Sequence, residues 1–404
     1  MNISQALEYI HSIPKFVRPL GNAGLAGLLD ALGNPHERLR FIHIAGTNGK
    51  GSAAAMTAEI LRRAGFKTGL FTSPFIEVFN ERIKINGENI PDSDLAALTA
   101  EVKAAAEEGG HSVSEFAFIT AMAFLYFYRK KCGYVVLETG MGGRLDATNI
   151  IPVPEVSAIT SISLDHMQYL GGTLEEIAAE KCGIIKENGI AAVYPNDSVM
   201  SVIENHAAQL HAELIKCEKA VPSENGGFIY KGREYPLALK GEYQPQNAAL
   251  VIEIINVLRR KGAQISDKAV FDGLSNVAWP ARFEFLSDRL IIDGGHNIDG
   301  IRALKRSLLS LGRPVIIVMA MMQDKMCAEC VAELAPAAKH FIATELDMPR
   351  CLDAESLLSM AGKGECVVPC AKAVQKALDL ADTNDVVCVC GSLYLAGEIR
   401  KKFK

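Results

Sequence analysis

The 404-residue chain has no uninterrupted apolar stretch of the roughly 18 residues that a membrane span needs, and residues 1–20 hold no apolar run suited to a secretion signal. Strong charge of either sign is also missing. A net charge of −5 and a pI near 6.0 leave no electrostatic footprint for nucleic acid or an anionic membrane. Repeats and low-complexity segments are absent. The chain is therefore expected in the cytoplasm, as a monomer with small-molecule partners and with neither nucleic acid nor membrane. Its ten cysteines, without a secretory context, are expected as reduced thiols. Cys327 and Cys330 form a C-x-x-C and Cys388 and Cys390 flank Val389, but no second pair stands at zinc spacing, so ordinary packing is expected of them.

Hydrophobic residues make up 49% of the chain, enough to fill two cores, and its length exceeds the size at which a single core stops growing. Residues 41–52, Phe-Ile-His-Ile-Ala-Gly-Thr-Asn-Gly-Lys-Gly-Ser, run an apolar strand into a glycine-rich turn that ends in a lysine and a hydroxyl. That is the local chemistry of a triphosphate cradle. Gly46, Gly49 and Gly51 let backbone N–H groups turn inward, Lys50 supplies a point charge for β- and γ-phosphates, and Ser52 offers a hydroxyl to Mg²⁺. Residues 53–64 then read as a helix whose N-terminus faces the phosphates. The common phosphate-loop pattern has glycine where Ile44 stands and Ser or Thr where Gly51 stands, so this loop is a variant.

Buried-strand patterns at 40–45, 67–72, 133–139, 156–161 and 190–194 alternate with amphipathic stretches such as 116–131. The fold class is therefore α/β, with a mostly parallel sheet covered by helices. The pattern loosens at 211–239, where 228–230 and 234–239 read as a small antiparallel excursion at the sheet edge. Helices return at 246–261 and 267–275. After Trp279-Pro280-Ala281-Arg282 a second alternation begins, with strands at 289–293, 315–320, 340–344 and 386–390 and helices at 298–311, 326–334 and 393–402. The boundary is placed near Phe283. A phosphate-loop domain over 1–282 would then precede a smaller Rossmann-like α/β domain over 283–404.

Polar groups recur at the ends of these apolar runs, where open parallel sheets bind ligands. They are Thr72-Ser73-Pro74, Glu138 with the loop to Asn149, Leu164-Asp165-His166, Glu180-Lys181-Cys182-Gly183, Gln244-Pro245-Gln246-Asn247 and Asp293-Gly294-Gly295-His296-Asn297. Singly, each has a plain structural reading: a carboxylate capping a helix, a histidine bonded to a loop, a lysine at a helix end. Jointly they imply one crevice beside the phosphate loop.

These motifs, together with Gly24-Leu25, Leu32-Gly33-Asn34-Pro35, Asn80-Glu81-Arg82-Ile83 and Gly391-Ser392-Leu393-Tyr394, resemble the folylpolyglutamate synthase and dihydrofolate synthase family among the Mur-type amide ligases. The resemblance spans essentially the whole chain. It implies a ligase that phosphorylates a carboxylate of a pterin-bearing substrate with ATP and joins L-glutamate to the acyl phosphate, on dihydropteroate, on reduced folates, or on both. Asn48, Gly49, Lys50, Gly51 and Ser52 would hold the phosphates, Asn247 the adenine, Arg282 the phosphates, and Asp293 the ribose or linker region. Ser52, Ser73, Glu138 and His166 would organise two Mg²⁺ ions. Lys181 matches a lysine that the family carbamylates. His296 and Ser392 would face glutamate, while Phe116, Leu145, Asp146 and Ala147 fall where the family binds the pterin; for Phe116 a core role stays open. Ala281 replaces a usual glycine and Gly295 a usual alanine, both small for small, whereas Phe75 and Ala117 replace a usual histidine and acidic residue beside the folate pocket. Another Mur-type amino-acid ligase, a phosphate-loop kinase or NTPase, and a non-catalytic nucleotide-binding module remain the alternatives.

Overall fold

Strand Phe41–Ala45 is buried at every position, as a strand covered on both faces must be. It lies inside an eight-stranded sheet whose order is Glu88–Asn89, Ile83–Ile85, Thr68–Phe71, Tyr134–Glu138, Phe41–Ala45, Val156–Ile159, Ile190–Val193 and Glu213–Lys216. The pairings are parallel except for those made by the first two strands. Those two edge strands and Glu213–Lys216 have no counterpart in the sequence pattern, since short edge segments need carry no continuous apolar run.

The computed structural model describes residues 1–15 and 21–404; residues 16–20, the end of the segment read for a secretion signal, lie outside the described residues. The chain separates into two compact units, Met1–Ala238 with Pro245–Val277, and Leu239–Gln244 with Ala278–Lys404. Among the described residues no helix is long and apolar enough to cross a membrane. All ten cysteines are free thiols, nine of them buried.

Helix Glu115–Arg129 is buried continuously from Ala117 to Phe127, the mark of a core helix rather than a surface one. It packs with Ile3–Ser12, Ala23–Ala31 and Asp92–Glu108 over the side of the sheet that carries Phe71 and Leu137. Helix Lys50–Arg63 starts earlier than its sequence pattern indicates, so Lys50, Gly51 and Ser52 occupy its first turn. The antiparallel excursion is real but is not an edge of the main sheet. Val221–Pro222, Phe228–Tyr230 and Arg233–Tyr235 form a three-stranded sheet of their own.

The second unit holds a six-stranded sheet in the order Glu284–Ser287, Leu290–Ile292, Val386–Cys390, Val315–Met319, His340–Ala343 and Glu365–Cys366. Only its first pair is antiparallel.

The phosphate-loop helix is held from behind by helix Asp267–Asn276. At their crossing, a methyl group on Gly273 would lie 2.5 Å from Ile60 Cγ1 and 2.8 Å from Ile60 Cα. Backbone cannot yield as a side-chain tip does. Gly273→Ala is therefore expected to lower unfolding stability by about 1–3 kcal/mol in urea titrations, the usual penalty for overpacking; an unchanged midpoint would mean that the two helices are not fixed at this contact.

Candidate active site

Four neighbouring parallel strands, Thr68–Phe71, Tyr134–Glu138, Phe41–Ala45 and Val156–Ile159, end at one edge of the sheet. Their carboxyl ends lead into Thr72-Ser73, Glu138, the 46–52 loop and the segment running to His166. Strand order thus brings the 72–74, 138 and 164–166 motifs to the same sheet edge as the phosphate loop.

Gly46 is the tightest point. Its φ is +147°, and a Cβ there would fall 1.7 Å from Thr160 Oγ1, so no side chain fits. Its carbonyl accepts from Lys50 Nζ at 3.0 Å and from Lys181 Nζ at 2.8 Å. Lys50 also donates to Thr47 O at 3.2 Å. The loop is clamped on the far side by Thr47 N–H to Ser161 O at 2.7 Å, and by Asn48, whose N–H donates to Ser161 Oγ while its O accepts from the same hydroxyl. Gly49 has φ +91° and, as the N-cap, supplies no side-chain cap to the helix, whose positive dipole end faces the loop. Asn247 is buried against Gly49, its Oδ1 2.4 Å from where a Cβ would stand.

Lys181, at the end of helix Leu174–Cys182, is only 3% exposed. Burial, followed by repulsion from Lys50, lowers its pKa from 10.5 to about 7, against weaker opposition from Asp165 and Asp146. Gly143 admits this helix end: a side chain at 143 would strike the Glu180 and Lys181 carbonyls at 2.7 and 2.8 Å.

Glu138 is buried and accepts from the Ser73 N–H at 3.1 Å, and Ser52 is wholly buried. The hydroxyls of Thr139 and Ser163, at the same edge, are buried with no hydrogen-bond partner in the protein. His166 is exposed and left-handed at φ 52°, ψ 35°, an uncommon conformation for a non-glycine residue, with its N–H bonded to Asp165 Oδ1 at 2.9 Å. Among the described residues no three His, Cys, Asp or Glu side chains gather as a metal cluster. The oxygen donors of Ser52, Ser73 and Glu138 nevertheless suit a hard cation that takes its remaining oxygens from phosphate and water.

Two of the residues assigned to the pterin side, Phe116 and Asp146, meet at Gly140. A Cβ there would lie 2.7 Å from the Phe116 ring and 3.2 Å from Asp146 Oδ2. Asp146 is buried and its oxygens accept from the N–H of Met141 at 2.9 Å, the N–H of Thr148 at 3.0 Å and the Thr148 hydroxyl at 2.5 Å. It folds the loop. Ala147 is buried beside it, whereas Leu145 is exposed. Phe116 packs on Phe71 at 5.7 Å between ring centres and leans on the first unit's core, so its core role is real.

In the second unit, Asp293 accepts from Gly295 N–H at 2.7 Å, Phe283 N–H at 2.8 Å and the Tyr243 hydroxyl at 3.1 Å. Burial raises its pKa, opposed first by Arg282. His296 Nδ1 donates to Gly294 O at 2.8 Å, since a carbonyl oxygen can only accept. Gly391 N–H donates to Gly295 O at 3.0 Å, tying the loop of Ser392 to that of His296; Ser392 itself caps helix Leu393–Phe403. Arg282 lies between two left-handed residues, Ala281 at φ 56° and Phe283 at φ 50°. The exchange of the usual glycine for Ala281 is therefore not neutral in backbone terms, because the position asks for positive φ. Gly295 is matched to its place, since a methyl there would meet Asp293 Oδ1 at 2.9 Å.

Thr160, Ser161 and Tyr243 went unnoticed in the sequence. The first two look like the tail of strand 156–161, and a lone tyrosine ahead of a helix carries no pattern of its own.

Residues 44–254 match the Mur ligase middle domain and residues 281–393 the Mur ligase glutamate ligase domain. The chain is 36% identical to the dihydrofolate synthase/folylpolyglutamate synthase of Bacillus subtilis, over 99% of this chain and 98% of that one. Among solved structures it is similar to E. coli FolC in complex with DHPP and ADP, with TM-score 0.91 and 30% identity over 100% and 97% of the two chains. It is equally similar to the bifunctional folylpolyglutamate synthase/dihydrofolate synthase of Yersinia pestis complexed with AMPPNP and Mn ion, with TM-score 0.91 and 30% identity over 100% and 98%. The chain belongs to the folylpolyglutamate synthase/dihydrofolate synthase family of Mur ligases.

Proposed function

We propose that this protein is an ATP-dependent ligase that adds L-glutamate to dihydropteroate, to reduced folates, or to both, through an acyl phosphate. The observation that carries the reading is the convergence of Lys50 and Lys181 on Gly46, beside the carboxyl ends of four adjacent strands. Relatives of the same length bear that activity in their names and bind ADP, AMPPNP and Mn, which supports the same nucleotide chemistry with a divalent cation here. A carboxylate and an amine do not condense at neutral pH for want of a leaving group. In the proposed reaction the carboxylate oxygen takes the γ-phosphoryl of ATP and ADP departs. The glutamate amine then attacks the carbonyl carbon, loses a proton, and expels phosphate.

The first demand on the protein is to neutralise gathered phosphate charge, the task proposed for Lys50 and for Asn48 to Ser52 at the helix N-terminus. Ser52, Ser73, Glu138 and His166 are proposed to hold Mg²⁺ at two sites; the cation supplies charge neutralisation and orients the phosphates. Asn247 is proposed to meet the adenine, as its place against Gly49 allows. Phe116 and 145–147 are proposed for the pterin, and Arg282, Asp293, His296 and Ser392 keep the nucleotide and glutamate roles that the resemblance implies. Of these, the imidazole of His296 is the group whose chemistry suits receiving a proton from an ammonium. Residues 1–282 are proposed as the ATP-binding part and 283–404 as the glutamate ligase part. A monomeric protein in the reducing cytoplasm is proposed as well, supported by ten free thiols.

Carbamylation of Lys181 is proposed on chemical grounds. Only a neutral amine attacks CO₂, and burial beside Lys50 gives Lys181 a pKa near 7. The product would bear negative charge, replacing a repulsion with an attraction to Lys50 and to a nearby cation.

Three measurements test these points. Phosphate release in the presence of ATP, Mg²⁺ and labelled glutamate should require a pteroate or folate acceptor, tested separately with dihydropteroate and tetrahydrofolate. Release without an acceptor would favour an NTPase, and release with another acceptor only would favour a different Mur-type ligase. Lys50→Ala should lose about 3 kcal/mol of transition-state stabilisation, on the order of a hundredfold in rate, and near-normal turnover in the folded variant would remove the loop from the mechanism. In CO₂-free buffer Lys181→Met should be more stable than wild type below about pH 7, where the buried ammonium is charged in the folded state. Between about pH 7 and 10.5 the unfolded wild-type chain binds a proton that the folded chain does not. Wild-type stability should therefore rise with pH across that window and close the gap; a pH-independent difference in urea midpoints would contradict the assignment.

A further inference from the structure

His43 has no part in the chemistry described so far, yet it is wholly buried in the central strand Phe41–Ala45, three residues before Gly46. Its Nε2 lies 2.8 Å from Thr148 Oγ1, and that hydroxyl lies 2.5 Å from Asp146 Oδ1. The direction of these bonds follows from proton inventory. Asp146 accepts two backbone N–H groups besides the hydroxyl, one on each oxygen, and so acts as an acceptor. The single hydroxyl proton of Thr148 is committed to Asp146, which leaves the Thr148 oxygen to accept from His43 and places the imidazole proton on Nε2.

Burial, with a smaller contribution from Lys186, drives the His43 pKa down to about 3, so the ring is neutral at any working pH. Nδ1 then carries a bare lone pair, buried and without a hydrogen-bond partner. Leaving such an atom unsatisfied is costly, and the neighbours on the same face of the strand, Phe41 and Ala45, are apolar and buried. Packing alone gives no reason for a histidine here. The one favourable polar contact it makes is to Thr148, and Thr148 together with Asp146 shapes the turn of Leu145 and Ala147, with Asp146 Oδ2 set at Gly140 beside the Phe116 ring.

We infer that His43 is a positioning residue for the pterin side of the site: its Nε2–H, relayed through Thr148 to Asp146, holds the 145–147 turn in its receptive shape and ties it to the strand that feeds the phosphate loop. This rests on the proposed function, and deepens it by naming a residue that sets acceptor affinity without touching the acceptor.

The test is equilibrium binding of dihydropteroate and, separately, of ADP to wild type, His43→Leu, His43→Gln and Thr148→Val. Leucine fills the ring volume without a donor. Glutamine returns an N–H at nearly the reach of Nε2, and valine removes the hydroxyl at constant shape. His43→Leu and Thr148→Val should each weaken dihydropteroate binding by about tenfold, the size of one lost hydrogen bond, with ADP affinity held within about twofold. His43→Gln should recover most of the loss, and the double variant His43→Leu/Thr148→Val should be no weaker than either single one, because both cut the same relay. Unchanged dihydropteroate affinity in folded Thr148→Val or His43→Leu would overturn the inference, as would an equal loss of ADP affinity or a glutamine variant no better than leucine. Should His43→Leu not fold, Thr148→Val and His43→Gln decide the matter. Wild-type protein that binds ADP but neither dihydropteroate nor a reduced folate would instead remove the functional reading, a result visible before any variant is compared.

Discussion

Two lysine ammonium groups share one carbonyl oxygen, that of Gly46, and one of the two is almost completely buried. Like charges so placed repel in a setting that screens them poorly, so the arrangement is tenable only if one of them gives up its charge or a strong anion arrives. The rest of the first unit's site follows from this constraint. Gly46 must lack a side chain because Thr160 presses on it, and Gly143 must lack one to admit the helix end that delivers Lys181. Asn48 and Thr47 are then locked to Ser161 and Ser163, which fixes the loop against the neighbouring strand's exit. A phosphate loop built this way is held by its neighbours' hydrogen bonds, and it places the Lys50 side chain at the helix start. Preorganised charge of this kind needs no reorganisation when phosphoryl transfer begins.

The two units share a construction habit. Each places a buried carboxylate in a loop that follows a buried strand and gives it backbone N–H partners: Asp146 with Met141 and Thr148, Asp293 with Phe283 and Gly295. Such residues look like ligand contacts in the sequence, but their oxygens are largely occupied in building the loop. Ser392 is similar, a cap on the last helix. Their substitution would therefore reshape the site as much as strip it of a contact. Glu138, which accepts from the Ser73 N–H, stands where four strand ends meet.

Much of this was legible beforehand, for reasons that differ by residue. The buried strands at 41–45, 134–138, 156–159, 190–193, 315–319 and 386–390 announce themselves because both faces are covered and each reads as a mainly apolar run. The short edge strands at 83–85, 88–89 and 213–216 do not, because partly solvated segments carry no such run. Glycine-rich turns and the lysine and hydroxyl after them mark the phosphate loop. What no local pattern carries is the clamp itself: Thr160, Ser161 and Lys181 reach Gly46 and its neighbours from more than a hundred positions away, and only the strand order brings them there. His43 was hidden in the same way, a polar residue inside an apolar strand whose partner Thr148 lies in a distant loop.

Conversion of Lys181 into a carbamate anion is the proposed resolution of the charge conflict at Gly46. The most direct measurement is carbon-13 magnetic resonance of the enzyme equilibrated with ¹³CO₂. One slowly exchanging carbamate carbon, present in wild type, absent in Lys181→Met and tracking ligase activity as bicarbonate is removed and restored, is the result predicted; a fully active enzyme with no carbamate signal would contradict the account.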